Sequence, residues 1–179
     1  MKNINVGIDL GGSHVSVGVV NNEGIIIEQF EKDFTVKEKE NILSVAIEFI
    51  VETINELKKK YEFFEFGLGM AGTISKGVIL RSVNLGVENY DLKTELESKT
   101  GLSVHIKNDA KCAAIGEYQY GEIKQYNNIL FLTLGTGIGG ALISHGTLMQ
   151  SDIAGGYEFG HMIIKSDGLK CRCGKKGCF

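Results

Sequence analysis

Residues Val6 to Val20 read VGIDLGGSHVSVGVV: a run of strand-forming apolar residues is broken by one carboxylate, two adjacent glycines and a hydroxyl, and then resumes at once. Asn128 to Ser144, NILFLTLGTGIGGALIS, repeats the pattern. Each interruption has two readings. Glycine lets backbone N–H groups approach a ligand closely and reach positive φ, and Ser13 and Thr136 add hydroxyl donors, so either loop could cradle phosphate oxygens. For either loop taken alone a tight hairpin turn is the favoured reading, because glycine hairpin turns are common. Gly135, Gly137 and Gly140 satisfy G-x-G-x-x-G, but a dinucleotide fingerprint requires a helix next, and Ala141 to Ser144 reads as strand. The chain also has no G-x-x-x-x-G-K-[ST] run.

Working outward, the first loop lies inside three strand-like segments, Ile4 to Leu10, Val15 to Val20 and Ile25 to Phe34, an antiparallel meander. From Lys39 to Lys60 apolar residues recur every three or four positions (Leu43, Ile47, Ile50, Ile54, Leu57) and three lysines close the run, which predicts one amphipathic helix. A strand at Phe63 to Met70, a glycine-containing loop, a short helix at Leu92 to Lys99 and a strand at Ser103 to Ile106 follow. Next come a helix from Ala110 to Tyr120 and strands at Ile129 to Leu134 and Ala141 to Ser144. The segment from Asp152 onward reads as irregular. The expected division is residues 1–120, with the first loop, and 121–179, with the second.

Composition narrows the function. The 179 residues are 43% hydrophobic and 23% charged, enough for a folded core. A net charge of −3 offers no broad basic surface for a nucleic-acid backbone. No window approaches the roughly 20 apolar residues that span a bilayer, so neither nucleic acid nor a membrane is an expected partner and a cytoplasmic location is the expectation. Proline is absent while glycine numbers 24, so Gly, Asn and Asp must make the turns.

Three further places carry chemistry. Asn108 and Asp109 follow a strand and precede a helix, at the strand end where α/β sheets bind ligands. Asp109 reads either as a helix cap or as the carboxylate that orients and deprotonates an acceptor hydroxyl in phosphoryl transfer. Glu158 and His161 sit three apart, and Glu158 is suited to accept hydrogen bonds from a polyol. Cys171, Cys173 and Cys178, with His161 upstream, supply the four N/S ligands of a structural Zn²⁺ site. Cys112 reads as a small core residue, and His14, Lys111 and His145 as solvated or capping residues.

Two strand-loop-strand cradles, the first with Asp9 ahead of its glycines, are what actin-like and hexokinase-like folds use to grip a nucleotide triphosphate, Asp9 holding Mg²⁺ through water. In this order the pieces resemble the ROK family of bacterial sugar kinases and sugar-responsive repressors. DLGGSH resembles the family's first phosphate loop, Asn108-Asp109-Ala110 its catalytic segment and LGTGIGG its second phosphate loop. YEFGH resembles the sugar motif, and CRCGKKGC the zinc signature. Tyr157 stands where the family usually has a small residue, and His14 where many members have lysine.

The resemblance implies an α/β, actin-like ATPase (ribonuclease H-like) fold, with the N-terminal lobe and the beginning of the second. It implies ATP-dependent phosphorylation of a hexose or amino sugar, with Asp109 as base. Asn108, Asp109, Glu158 and His161 would bind the sugar. Asp9, Gly11, Gly12, Ser13, Gly135, Thr136, Gly137 and Gly139 would bind nucleotide. His161, Cys171, Cys173 and Cys178 would bind zinc, and Mg²⁺ would accompany ATP. It also implies a dimer for the full-length protein. Family members continue past the cysteine signature with a further sugar-contacting glutamate and the adenine site, so this chain reads as the front portion of a kinase. The other readings are the effector core of a ROK repressor, which normally carries a winged helix-turn-helix ahead of the first loop, and a noncatalytic sugar-binding fragment.

Overall fold

The alternation around the first glycine loop becomes an antiparallel meander in the computed structural model, which describes residues 4–135, 137–151 and 156–179. Strand β1 (Ile4–Leu10) buries Ile4, Val6, Ile8 and Leu10 and exposes the residues between them, the period-two signature of a half-buried strand. It pairs antiparallel with β2 (His14–Asn21), which pairs with β3 (Ile26–Asp33). Two parallel neighbours, β4 (Glu65–Met70) and β8 (Ser103–Asn108), complete a sheet of order β3-β2-β1-β4-β8.

The expected long helix is α1 (Ile42–Lys60), beginning three residues after the predicted Lys39. Its start is delayed because Glu38 turns back to accept hydrogen bonds from the backbone N–H and hydroxyl of Thr35, at 2.8 and 2.7 Å, closing a separate 3-10 turn over Glu38–Glu40. Ala46, Ile50, Ile54 and Leu57 on α1 join Val15, Val17, Phe66 and Leu68 of the sheet in one core. At about 25 cal/mol per Å² of apolar surface removed from water, this burial is the main force holding the helix to the sheet. Lys58 Nζ crosses to the carbonyl of Thr100 at 2.7 Å, at the end of α2 (Leu92–Thr100).

The glycine-containing loop expected after Met70 is a three-stranded sheet instead: β5 (Thr73–Ser75), β6 (Val78–Ser82) and β7 (Val87–Asp91). Its first hairpin turns on Lys76 and Gly77, both with positive φ, 52° and 88°. Two consecutive positive φ values are the mark of a type I′ turn, the geometry that suits strand twist. Lysine in the first of those places, where Asn or Asp is usual, is why the hairpin left little trace in the sequence.

The chain divides into two compact units, Met1–Asp109 and Ala110–Phe179. In the second, β9 (Ile129–Leu134) and β10 (Ile138–Ser144) form the hairpin of the second glycine loop, and β11 (Thr147–Leu148), which the sequence reading omitted, adds the third strand. His145 and Gly146, at φ 50° and 73°, make the turn into β11. Helix α3 (Asp109–Tyr120) begins with the candidate base itself. Beyond β11 the described chain is irregular apart from a 3-10 turn at Phe159–His161 and two isolated bridges. Among the described residues no helix is long and apolar enough to cross a membrane.

Candidate functional site

In the first unit three parallel strands finish at one sheet edge. The register aligns Asp9 with Gly69 and Gly69 with Lys107, then Leu10 with Met70 and Met70 with Asn108. Carboxyl ends of parallel strands are where open α/β sheets bind ligands, and Asp9, Asn108 and Asp109 all lie there. Ile8 and Leu10 are buried, so the strand period turns Asp9 to the other, exposed face. Partial desolvation raises its carboxyl above the ordinary aspartate range. His14, with Nε2 3.9 Å away, pulls it down, and the negative charge of Asp109 pushes it up.

The first glycine loop is closed by Gly11 N donating to His14 O at 3.0 Å. Gly12 lies against Asn84, where a Cβ would come within 3.2 Å of the Asn84 Cβ. The segment Gly69-Met70-Ala71-Gly72 is fixed from both sides. Ser82, buried on β6, donates to Ala71 O at 2.7 Å, and Asn108 Nδ2 donates to Gly72 O at 3.4 Å. Gly72 has φ +143°, and a Cβ there would stand 2.7 Å from the Arg81 carbonyl, so only glycine fits. Ser82 and Asn84 had no part in the sequence reading, because nothing local marks RSVNLG as a support for the loops.

In the second unit Gly135 N donates to Gly137 O at 3.0 Å across the second loop, and Thr136 lies outside the described residues. A Cβ on Gly139 would meet Thr133 Oγ1 at 2.6 Å and the Ala110 Cβ at 2.8 Å, so its missing side chain makes room for α3. Glu158 follows Tyr157, a bulky residue held at φ 61°, and precedes the 3-10 turn that ends in His161. Lys111 on α3 reaches this turn, with Nζ 3.1 Å from Gly156 O and 3.8 Å from Glu158 Oε1.

His161, Cys171, Cys173 and Cys178 bring their ligand atoms within 4.8 Å of one another. Cys171 Sγ is 3.6 Å from His161 Nδ1, and Cys173 Sγ is 3.6 Å from Cys178 Sγ. Thiolates at about 2.3 Å from one tetrahedral zinc lie about 3.8 Å apart, and a thiolate and an imidazole nitrogen about 3.6 Å, so the four groups fit such an ion. The chain shapes them through Cys171 N to Lys175 O at 2.8 Å and Gly174 N to Cys171 O at 3.0 Å. Chiefly through the Lys175 backbone N–H, the Cys173 thiol is lowered, whereas desolvation above all pushes Cys178 up to about 11. With Nδ1 of His161 turned to the Cys171 sulfur, Nε2 lies on the other side of the imidazole ring.

The family model described as the ROK family matches residues 5–179. This chain belongs to the ROK family. The glucokinase of Thermotoga maritima is 37% identical to it over 176 residues, which are 97% of this chain and 55% of that protein. The xylose repressor of Bacillus spizizenii is 31% identical over 97% of this chain and 46% of its own length. Among solved structures, a ROK family glucokinase from Streptomyces griseus in complex with glucose and AMPPNP superposes with a TM-score of 0.84, at 30% identity, over 98% of this chain and 55% of that one. The fold is thus the actin-like ATPase fold of the ROK sugar kinases. The chain spans about half the length of the curated relatives it matches.

Proposed function

We propose that this ROK chain is part of an ATP-dependent, glucokinase-like kinase that phosphorylates a hexose or amino sugar, with Asp109 as the base. The observation that carries the reading is the placement of Asp9 near the carboxyl end of β1 and of Asp109 directly after β8, strands that β4 joins in one parallel set. Phosphoryl transfer needs an acid group beside the metal-nucleotide and another beside the acceptor hydroxyl. Asp9 suits the first role and Asp109 the second. Magnesium bound with ATP would neutralise charge on the phosphoryl oxygens. Asn108, its amide tied to Gly72, and Glu158 and His161 would hold the sugar hydroxyls, while Gly11, Gly12, Ser13, Gly135, Thr136, Gly137 and Gly139 would receive the phosphates.

The likeness to the T. maritima glucokinase supports the kinase reading, and the fit of His161, Cys171, Cys173 and Cys178 to a tetrahedral ion supports a structural zinc. The partners proposed are the sugar and ATP, with the full-length product a cytoplasmic dimer that sedimentation would test. A second reading, the effector core of a sugar-responsive repressor, is favoured by the xylose repressor match. A coupled assay of the full-length gene product separates them. ATP- and sugar-dependent ADP release with glucose, mannose, fructose, allose or N-acetylmannosamine is expected. Sugar binding with no transfer to any of them would favour the repressor reading.

A further inference from the structure

The turn that presents Glu158 is secured differently at its two ends. On the C-terminal side it is pressed onto β10: a Cβ at Gly160 would fall 1.9 Å from the Ile138 carbonyl, and one at Gly140 would come within 3.1 Å of the Phe159 ring. On the N-terminal side stands Tyr157, at φ 61°. Left-handed backbone is unfavourable for a residue with a bulky side chain and persists only where the surroundings hold it. The tilted contact of the Tyr157 and Phe159 rings, centroids 6.3 Å apart, orients the ring but leaves the peptide groups to be held by something else.

Lys111 reaches those peptide groups. Its Nζ takes the Gly156 carbonyl at 3.1 Å and stands 3.8 Å from Glu158 Oε1, so one ammonium grips the residue before Tyr157 and the residue after it. Both side chains are well shielded, 17% and 26% exposed, where a charge-assisted contact is worth more than on an open surface. We infer that Lys111 is a positioning residue of the sugar site: by bracketing Tyr157 it fixes the direction of the Glu158 carboxylate. The inference rests on the reading of Glu158 as a sugar-binding group.

The test compares Lys111→Met, Lys111→Arg, Glu158→Gln and the double variant Lys111→Met with Tyr157→Gly, all in the full-length gene product. The probe is whichever of glucose, mannose or N-acetylmannosamine is phosphorylated fastest. Lys111→Met is expected to raise the sugar KM about tenfold, the loss of one hydrogen bond to a charged group, while the ATP KM and zinc content stay unchanged. Lys111→Arg should recover most of the loss. Tyr157→Gly should recover part of it in the Met background, because a glycine holds the left-handed turn without a bracket. An unchanged sugar KM in Lys111→Met, with a raised one in Glu158→Gln, overturns this inference alone. An unchanged sugar KM in Glu158→Gln overturns the reading of Glu158 and the inference with it. Equal loss of sugar and ATP affinity in Lys111→Met means that the lysine only supports the fold, and also overturns it. If Lys111→Met does not fold, Lys111→Gln carries the same expectation and the same refutation.

Discussion

His161 Nδ1 and Cys171 Sγ stand 3.6 Å apart, the separation of two ligands on one tetrahedral ion. Protein purified without chelator is therefore expected to contain one zinc per chain, with an absorption spectrum of three sulfurs at about 2.3 Å and one nitrogen at about 2.0 Å. Replacing Cys173 with serine should lower the zinc content and the melting temperature together. A full-length product free of zinc would remove the metal from the proposal.

Zinc affinity should rise with pH. Desolvation and the neighbouring thiols hold the proton on Cys178 up to about 11, so below that value the metal-free form gains stability relative to the bound form as protons become more available. Metal uptake must then release protons, and competition against a chelator between roughly pH 6 and 8 should show tighter binding at the alkaline end. An affinity that stays flat across that range would mean the thiols are already ionised without metal.

Asp109→Asn keeps the size of the side chain at the start of α3 and removes its ability to take a proton. In the full-length product sugar phosphorylation should fall by about 10²–10⁴-fold with circular dichroism unchanged. The variant should still bind sugar. Near-normal turnover would assign the base to another residue.

Gly72→Ala places a methyl 2.7 Å from the Arg81 carbonyl at a φ of +143°. The loop must shift, which loosens the anchor of the Asn108 amide. A loss of about 1–3 kcal/mol of stability in denaturant unfolding is expected, with a raised sugar KM. Ser82→Ala, which removes only the hydrogen bond to Ala71, should cost about 1 kcal/mol by the same measurement. Equal costs for the two would locate the effect in the hydrogen bond rather than the backbone.

The parts of this molecule that were legible in the sequence are those whose physics is local. The alternation of β1, the three-to-four spacing of α1 and the cysteine spacing each declare themselves within a few residues. The β5-β6-β7 sheet was not legible, because its strands are three to five residues long and turn on Lys76-Gly77. Lys111 was read as a capping or solvated lysine for a related reason. Its partner Gly156 lies 45 positions away, and no periodicity links a helix start to an irregular turn. Ser82 and Asn84 likewise acquire meaning only once β6 is folded beside Ala71 and the first glycine loop.

Asp9 occupies the off-beat of a strand whose beats, Ile8 and Leu10, are buried. That arrangement makes the length of β1 a heritable quantity distinct from its composition. Removing one residue from the middle of the strand would swap the two faces upstream of the loop, setting an acid among Val15, Val17 and Leu68 or turning a leucine toward water. Exchanges at Asn5 or Gly7 leave the beat intact. In a library of variants, substitutions along this strand should thus survive in number while single-codon deletions vanish, so that a lineage is free to drift its loops yet is bound to count its first strand correctly.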